Sequence, residues 1–425
     1  MQQQWIERDV AVNWHPYSQM KTTTHLPIVK GEQAYLYDAN GKRYLDMVSS
    51  WWVTLHGHAH PYIAEKVYQQ LCKLEQVIFA GFTHEPAITL SERLLELLPN
   101  NQRKIFYTDN GSTAVEVALK MCIQFWENIG SPKTKIVAFK GGYHGDTFGA
   151  MSVSERGHWT APFSDMLFDV LFIEAPNQQN LLATKRFLTE NADELACFIY
   201  EPLVQGAGGM LMHHAKDLTE LMQHCRSLGI LMIQDEVFVG FGRTGTLFAA
   251  DQLQEMPDVM CFSKGLTGGT MPMGITSCTE EIYNAFYSED KTKALFHGHS
   301  FTASPVSCAA SLASLDLLLE PGTLENIKKI EASHMGFSRQ LSCRKNALNV
   351  RMTGTIIAFE WNTEGSSGYF NAIQAKLFDT FMDKGILLRP LGNVLYILPP
   401  YCVKQEDLNY TYRIILELLD SDTPF

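Results

Sequence analysis

The stretch Ile230-Leu231-Met232-Ile233-Gln234-Asp235 is a short apolar run that ends in a carboxylate. A second run, Val259-Met260-Cys261-Phe262, is followed directly by Ser263-Lys264. Short runs of nearly continuous apolarity are typical of strands buried on both faces of a parallel sheet. The carboxyl ends of such strands meet at one edge, where ligands bind. We therefore predict that Asp235 and Lys264 lie at a ligand-binding edge.

Similar apolar runs precede these two, and helical patterns of crossover length separate them. The further strands are predicted at 104–107, 135–139, 170–173 and 197–200, with helices at 114–126 and 217–228. This alternation indicates an α/β fold with a doubly wound sheet. A β-rich entry segment at 31–52 and later strands at 355–359 and 394–398 suggest a second, smaller α/β domain. We predict an N-terminal segment at 1–55 that joins the small domain, a large domain at 56–309 and a C-terminal small domain at 310–425.

The bulk composition excludes several classes of function. The 425 residues carry a net charge of −12, and no basic patch offsets the repulsion of nucleic acid. Nine scattered cysteines without a C-x-x-C pair argue against disulfides and structural zinc, and favour a reducing compartment. The start of the chain lacks a secretion signal, and no apolar stretch approaches a membrane span. A cytoplasmic protein is expected.

Four residue groups together fit the chemistry of pyridoxal 5′-phosphate (PLP), which needs an amine, an anion, a phosphate cradle and a ring-stacking group. Lys264 offers the amine, and Asp235 could pair with the pyridine nitrogen. Gly111 and Ser112 open a helix whose N-terminus favours phosphate. Tyr143, in a Gly-rich loop, is the stacking candidate. Taken singly, each has a commoner reading: a solvated lysine, a capping carboxylate, a generic helix cap or a turn tyrosine.

In this order along the chain, these residues resemble the class III aminotransferases of PLP fold type I. The match also includes Leu231 to Gly245, which carries Phe241-Gly242-Arg243-Thr244-Gly245, and it runs over nearly the whole chain. The resemblance implies a large domain with a mainly parallel seven-stranded sheet and a smaller α/β domain. It implies PLP as cofactor, Lys264 as its Schiff-base lysine, Asp235 as its aspartate and Tyr143 beside its ring.

Several longer motifs resemble the branch of this family that acts in biotin synthesis: Trp14-His15-Pro16-Tyr17, Met47 to Trp52, Gly142 to Ser152, and Glu201-Pro202 with Gln205 to Met210. Thr113 stands where relatives acting on 4-aminobutyrate or ornithine tend to have Glu. For this branch the small-molecule substrates are 8-amino-7-oxononanoate and S-adenosylmethionine. By resemblance, Tyr17, Trp51 and Tyr143 line the substrate pocket beside Lys264, and Arg389 binds the substrate carboxylate.

The segment Phe296 to Phe301 resembles the loop that reaches the cofactor phosphate of a partner subunit. Gly298 would lie near substrate, and His299 and Ser300 near the phosphate, although His299 replaces the usual Pro. The resemblance implies a homodimer with shared active sites and a ping-pong exchange of the amino group.

Three alternatives stay open at this stage: lysine as the amino donor, an ω-aminotransferase for another amine, and a PLP-binding regulator without turnover. No metal site is predicted. The alternating histidines His56, His58 and His60 are interpreted as structural, because no carboxylate or cysteine lies close by in the sequence.

Overall fold

The computed structural model describes residues 2–363 and 371–421. Its strands are β1 Ile28–Glu32, β2 Tyr35–Asp38, β3 Arg43–Asp46, β4 Gln102–Thr108, β5 Lys135–Phe139, β6 Leu171–Ile173, β7 Leu195–Tyr200, β8 Val204–Gln205, β9 Leu211–Met212, β10 Leu231–Asp235, β11 Val259–Phe262, β12 Gly274–Thr279, β13 Ala347–Thr353, β14 Ile356–Trp361, β15 Ile386–Leu387 and β16 Val394–Ile397. Its α-helices are α1 Gln2–Val12, α2 Ser49–Trp52, α3 Pro61–Lys73, α4 Glu85–Leu97, α5 Gly111–Asn128, α6 Phe148–Ser152, α7 Leu181–Asn191, α8 Ala215–Ser227, α9 Glu280–Phe286, α10 Pro305–Leu318, α11 Pro321–Ser342, α12 Ile373–Asp383 and α13 Gln405–Leu419.

The largest sheet has seven strands in the order β4-β12-β11-β10-β7-β5-β6. The strands β11, β10, β7, β5 and β6 pair in parallel, whereas β12 is antiparallel to both of its neighbours. The α/β fold with a mainly parallel seven-stranded sheet is therefore confirmed. All six strands predicted for the large domain are present, and each lies within two residues of its predicted limits.

The strand β12 has no apolar run, because its sequence is Gly-Ile-Thr-Ser-Cys-Thr, yet it is buried along its whole length. Its hydroxyl groups have internal partners. Thr276 Oγ1 donates to the carbonyl of Ala114 at 2.7 Å, and Ser277 Oγ donates to Gln102 Oε1 at 2.7 Å. A hydrogen-bonded hydroxyl removes most of the cost of burying it, so a polar sequence is stable in the middle of the sheet.

The helix α5 covers one face of this sheet at its centre. Its N-terminus is fixed by a capping box in which the Asn110 side chain accepts from the Thr113 amide and the Thr113 hydroxyl accepts from the Asn110 amide. Apolar side chains along one side of α5 pack into a buried cluster with β5, β7, β10 and β11. The start of α5 is thereby held beside the carboxyl ends of the parallel strands.

Two smaller sheets lie outside the seven-stranded one, and the first of them combines residues from both ends of the chain. One has the order β1-β2-β3-β15, in which β3 pairs in parallel with β15. The other has the order β13-β14-β16. The predicted limit at residues 309 and 310 falls inside α10, and the domain limits stay a prediction.

All nine cysteines lie in the described part of the chain, and each is a free thiol. Among the described residues, no helix combines the length and the apolar character needed to cross a membrane.

Candidate active site

A cavity of about 730 Å³ opens at the carboxyl ends of β10 and β11. Its walls include Asp235 at the end of β10, Lys264 just after β11, Ser112 at the start of α5, and the loop residue Tyr143. Trp52, from the N-terminal part of the chain, closes one side. Residues that are distant in sequence but were predicted to act together thus share one cavity.

Lys264 occupies a strained position in this cavity. Its φ is +37°, a left-handed value that is unfavourable for a residue with a side chain, and the surrounding packing must hold it there. Burial lowers the pKa of its ammonium group, an effect partly opposed by the charges of Asp235 and Glu201. The Nζ atom lies 5.5 Å from the centroid of the Trp52 ring. At a given pH, the amine of a lysine in this setting is neutral in a larger fraction of molecules than that of a lysine in water.

Both carboxylate oxygens of Asp235 have partners. Oδ2 lies 2.7 Å from Nδ1 of His144, and Oδ1 accepts from the amide of Val237 at 2.9 Å. The side chains of His144 and Asp235 are only 0% and 4% exposed. A buried carboxylate with two such donors is stabilised as an anion and fixed in direction.

The start of α5 and the loop after β5 together form a small cradle. The hydroxyls of Ser112 and Thr147 are 2.7 Å apart, and the Thr147 amide donates to Ser112 Oγ at 3.0 Å. The backbone of Gly145 lies so close to Ser112 that a Cβ at position 145 would be 2.3 Å from Ser112 Oγ. The unpaired amides of the first turn of α5 and its dipole favour an anion at this point.

Tyr143 is positioned through the buried carboxylate of Glu201. Its amide donates to Glu201 Oε2 at 3.0 Å, and the amide of Gly206 donates to Oε1 at 2.9 Å. Burial, opposed by the charge of His144 and by these two amides, raises the pKa of Glu201 to about 7. Burial also raises the pKa of the Tyr143 phenol, helped by its hydrogen bond with Tyr17. Tyr143 is therefore a neutral phenol at physiological pH.

An aromatic and cationic cluster adjoins the cavity beside Tyr143 and Asp146, which line it, and this side is termed the mouth; Tyr17, Trp51 and Arg389 are not themselves among the lining residues. The Tyr17 hydroxyl donates to Asp146 Oδ2 at 2.5 Å and lies 3.4 Å from the Tyr143 hydroxyl. The Tyr17 and Trp51 rings meet edge to face, with 5.6 Å between their centroids. Arg389 Cζ lies 4.2 Å from the centroid of the Trp51 ring. The structure thus brings together the four residues that were predicted to line the substrate pocket and bind its carboxylate.

The loop at 296–301, unlike Asp235, Lys264 and Tyr143, does not contribute the predicted site residues to the cavity wall of this chain. Within the described part of this chain, Gly298, His299 and Ser300 are not among the residues that line the cavity. The Ser300 carbonyl accepts from Gln76 Nε2 at 2.7 Å, and the His299 amide donates to Thr302 Oγ1 at 3.0 Å. Gly298 and Ser300 are exposed. The site roles predicted for these three residues stay a prediction.

Four residues of the site received no role from sequence reasoning: Trp52, His144, Asp146 and Glu201. All four lie inside motifs that the sequence displays: Trp52 ends the motif that starts at Met47, and the other three are near Tyr143 or in the Glu-Pro pair. Nothing in their spacing indicates which of them would face Asp235 or Tyr17. Trp52 needs a φ of +67°, and no local pattern predicts that conformation.

The family model of the class III aminotransferases matches residues 17–419. An adenosylmethionine-8-amino-7-oxononanoate aminotransferase of Synechococcus elongatus is 44% identical, over 96% of this chain and 98% of that protein.

Two solved structures extend this likeness to the fold. The crystal structure of adenosylmethionine-8-amino-7-oxononanoate aminotransferase from Methanocaldococcus jannaschii is 32% identical, with a TM-score of 0.95, over 99% of this chain and 100% of that one. An amine transaminase from an uncultivated Pseudomonas species, solved in its PLP-bound form, is 28% identical with a TM-score of 0.89, over 96% and 98% of the two chains.

Proposed function

From the premise that this chain belongs to the class III aminotransferase family, we propose that it transfers the amino group of S-adenosylmethionine to 8-amino-7-oxononanoate, forming 7,8-diaminononanoate. It is a transaminase of the biotin pathway. The observation that carries the substrate assignment is the cluster of Tyr17, Trp51 and Arg389. Tyr17 joins this cluster to the cavity that holds Lys264 through its contacts with Tyr143 and Asp146.

The donor set of the cavity fits PLP. Asp235 would face the pyridine nitrogen as a fixed anion, and Lys264 would supply the amine. Ser112 with the first amides of α5 would hold the phosphate, supported by the close approach of Gly145, and Tyr143 would pack on the ring. PLP, when bound, supplies an electron sink for the substrate carbon that loses its proton.

Lys264 is the proposed acid and base. Its lowered pKa makes Nζ neutral at a lower pH than in a solvated lysine, so it can accept the proton that leaves the amine-bearing carbon and return it on the opposite half of the exchange. Burial around Trp52 keeps water away from this transfer. His144 and the Val237 amide hold the Asp235 carboxylate in one orientation through both halves.

Arg389 is the proposed anchor for the carboxylate of the oxo acid. A guanidinium can bind a carboxylate with two parallel hydrogen bonds. Its cation–π contact with Trp51 restricts the guanidinium, and the aromatic walls suit the methylene chain between the carboxylate and the reacting carbon. The Tyr17 hydroxyl, held by Asp146, limits the width of the entrance.

We also propose a cytoplasmic homodimer with shared sites. The exposed loop with Gly298, His299 and Ser300 would reach the phosphate of the partner subunit, and its exposed Phe296 and Phe301 supply apolar surface for that contact. The nine free thiols support a reducing compartment.

The test uses purified protein with PLP and separates the two half-reactions. In the first, S-adenosylmethionine or lysine is added alone, and the loss of the PLP absorbance reports amino transfer to the cofactor. In the second, 8-amino-7-oxononanoate is added to the aminated enzyme, and 7,8-diaminononanoate is quantified. Lys264→Ala is the negative control, and Arg413→Met, on the exposed side of α13, is the matched surface control.

Each outcome has a distinct meaning. Formation of 7,8-diaminononanoate with S-adenosylmethionine supports the proposal. Formation with lysine but not with S-adenosylmethionine would show that lysine is the amino donor. If other amines are used and 8-amino-7-oxononanoate is not aminated, the chain is an ω-aminotransferase for another substrate. Bound PLP without either half-reaction would contradict catalytic turnover.

A further inference from the structure

The N-terminal segment is held to the protein with little apolar burial. The helix α1 has no buried residue, and Trp14 is 91% exposed. Hydrophobic packing therefore contributes little to fixing residues 2–16. Polar contacts must do so, and they concentrate at two places: the Tyr17 hydroxyl on Asp146, and a cluster formed by Asp9, His15 and His25.

This three-residue cluster has the composition and proximity of a metal site. The candidate ligand atoms of Asp9, His15 and His25 all lie within 4.8 Å of one another. His15 Nε2 is 2.7 Å from Asp9 Oδ2, and the rings of His15 and His25 stack with centroids 3.6 Å apart and planes 13° apart. Two imidazoles and a carboxylate are ligands that Zn²⁺ and related ions prefer.

His25 supplies a second, independent observation. Its Nε2 atom is shielded from solvent and has no hydrogen-bond partner among the described residues. An unpaired buried nitrogen costs free energy, so it calls for an explanation such as an unseen ion. A metal ion bonded to Nε2 would remove that cost.

In the other histidine group of the sequence, His56 and His58 have partners, whereas His60 Nδ1 is shielded from solvent and has no partner among the described residues. His58 Nε2 lies 2.8 Å from Asp46 Oδ2, and His56 Nε2 lies 3.0 Å from Ser314 Oγ. Their rings are thus committed to internal hydrogen bonds. The cluster at the N-terminus differs because two histidines and a carboxylate bring their candidate ligand atoms within 4.8 Å of one another, and the carboxylate is partly accessible, with a side-chain exposure of 25%.

We propose that Asp9, His15 and His25 bind one divalent transition-metal ion, with Zn²⁺ as the representative, and that the ion fixes the N-terminal segment over the active-site mouth. The three protein ligands leave a fourth tetrahedral position for water. Ligand bonds of about 2.0–2.2 Å place neighbouring ligand atoms roughly 3.3 Å apart, so His15 and Asp9 separate slightly and the stacked rings fan on binding. The exposed position of α1 permits that movement.

The consequence for the site follows from the position of Tyr17 between two of the ligands in sequence. Tyr17 has a φ of +51°, a strained value for a side-chain-bearing residue. An ion that joins His15 to His25 ties both ends of the segment that carries Tyr17, so it offsets this strain and favours the closed contact with Asp146. The ion is a positioning element and takes no part in the chemistry.

The experiment uses tag-free, PLP-loaded protein treated with a chelator and then titrated with ZnCl₂ by calorimetry. One equivalent of Zn²⁺ is expected to bind to the wild type, and His25→Ala and Asp9→Asn are each expected to weaken this binding at least tenfold. His214→Ala, at an exposed histidine outside the cluster, is the matched control and should bind as the wild type does. Co²⁺ in place of Zn²⁺ should give the visible spectrum of a tetrahedral nitrogen and oxygen site.

Limited trypsin digestion supplies a readout that is independent of activity. Lys21 is exposed between His15 and His25. Zn²⁺ should slow cleavage after Lys21 in the wild type and in His214→Ala, but not in His25→Ala. Absence of stoichiometric binding to the wild type, or binding by Asp9→Asn and His25→Ala as tight as that of the wild type, would overturn the site. Neither assay depends on the identity of the amino donor or acceptor, so the site can fail while the proposed function stands.

Discussion

Removal of the Arg389 guanidinium should remove most of the preference for a substrate with a carboxylate. Arg389 is half-buried and in cation–π contact with Trp51, so its guanidinium is already restricted before substrate binds. A hydrogen bond to a charged group is worth about 1.5–3 kcal/mol. Because solvent reaches the mouth, the two hydrogen bonds of a bidentate pair together contribute less than twice this free energy. We take about 2–3 kcal/mol for the pair, which corresponds to about 30- to 150-fold in kcat/KM.

The assay compares two substrates on two enzymes in single turnovers that start from the aminated cofactor. One substrate is 8-amino-7-oxononanoate, and the other carries a methyl group in place of the carboxylate. The wild type should prefer the first by about 30- to 150-fold, and Arg389→Met should reduce that preference to a few-fold, with Arg389→Lys between them. Because each enzyme is its own reference, a general loss of activity cancels in the ratio.

The control and the refuting result are equally direct. Arg413→Met removes an exposed arginine paired with Glu417 on α13, and it should keep the wild-type ratio. If Arg389→Met also keeps that ratio, the carboxylate is bound elsewhere and the reasoning from the contact of Arg389 with Trp51 is wrong.

Three further perturbations test the cradle, the buried acid and the mouth. Gly145→Ala should raise the dissociation constant of PLP at least tenfold, measured by equilibrium dialysis, because the new Cβ would lie 2.3 Å from Ser112 Oγ; Gly41→Ala, with a φ of +82° and open space around it, controls for backbone strain alone. Glu201→Gln should alter the pH dependence of unfolding: the pKa of Glu201 is raised to about 7, so its stabilising contribution is present below its unfolded pKa and is lost as the pH rises through about 7. Urea denaturation should therefore show the variant gaining up to about 3 kcal/mol relative to the wild type between pH 4.5 and 8, and no change in that difference would contradict burial of the acid. Tyr17→Phe should raise the KM for the oxo acid about two- to tenfold, because it loses a half-exposed hydrogen bond to Asp146, while PLP affinity stays unchanged; a large loss of PLP would point instead to a structural role.

Sequence reasoning was most successful where one physical pattern decides the outcome. Buried parallel strands must be continuously apolar, so β10 and β11 could be found, and with them the edge that carries Asp235 and Lys264. It failed at β12, because Thr276 and Ser277 satisfy their hydroxyls through partners that are remote in the chain. A local pattern carries no information about such partners.

The candidate site divides in the same way. Residues that follow strands or open helices were placed correctly in one cavity, since topology alone brings them together. The contact of His144 with Asp235 and the position of Trp52 over Lys264 depend on loop conformations with left-handed or irregular backbone. Those conformations are selected by the whole fold rather than by neighbouring residues.

The joining of the two ends of the chain has a consequence for biosynthesis. The Ser49 hydroxyl donates to the carbonyl of Leu398, which is 349 residues further along, and Trp52 Nε1 donates to the Tyr396 hydroxyl across 344 residues. During translation, the segment that closes one wall of the cavity must wait, without its final partners, until nearly all of the chain has left the ribosome. Contacts of such sequence separation form late and slowly. The nascent protein therefore completes its cofactor cavity as one of its last folding steps, and premature termination near the C-terminus would leave the large sheet without a finished site.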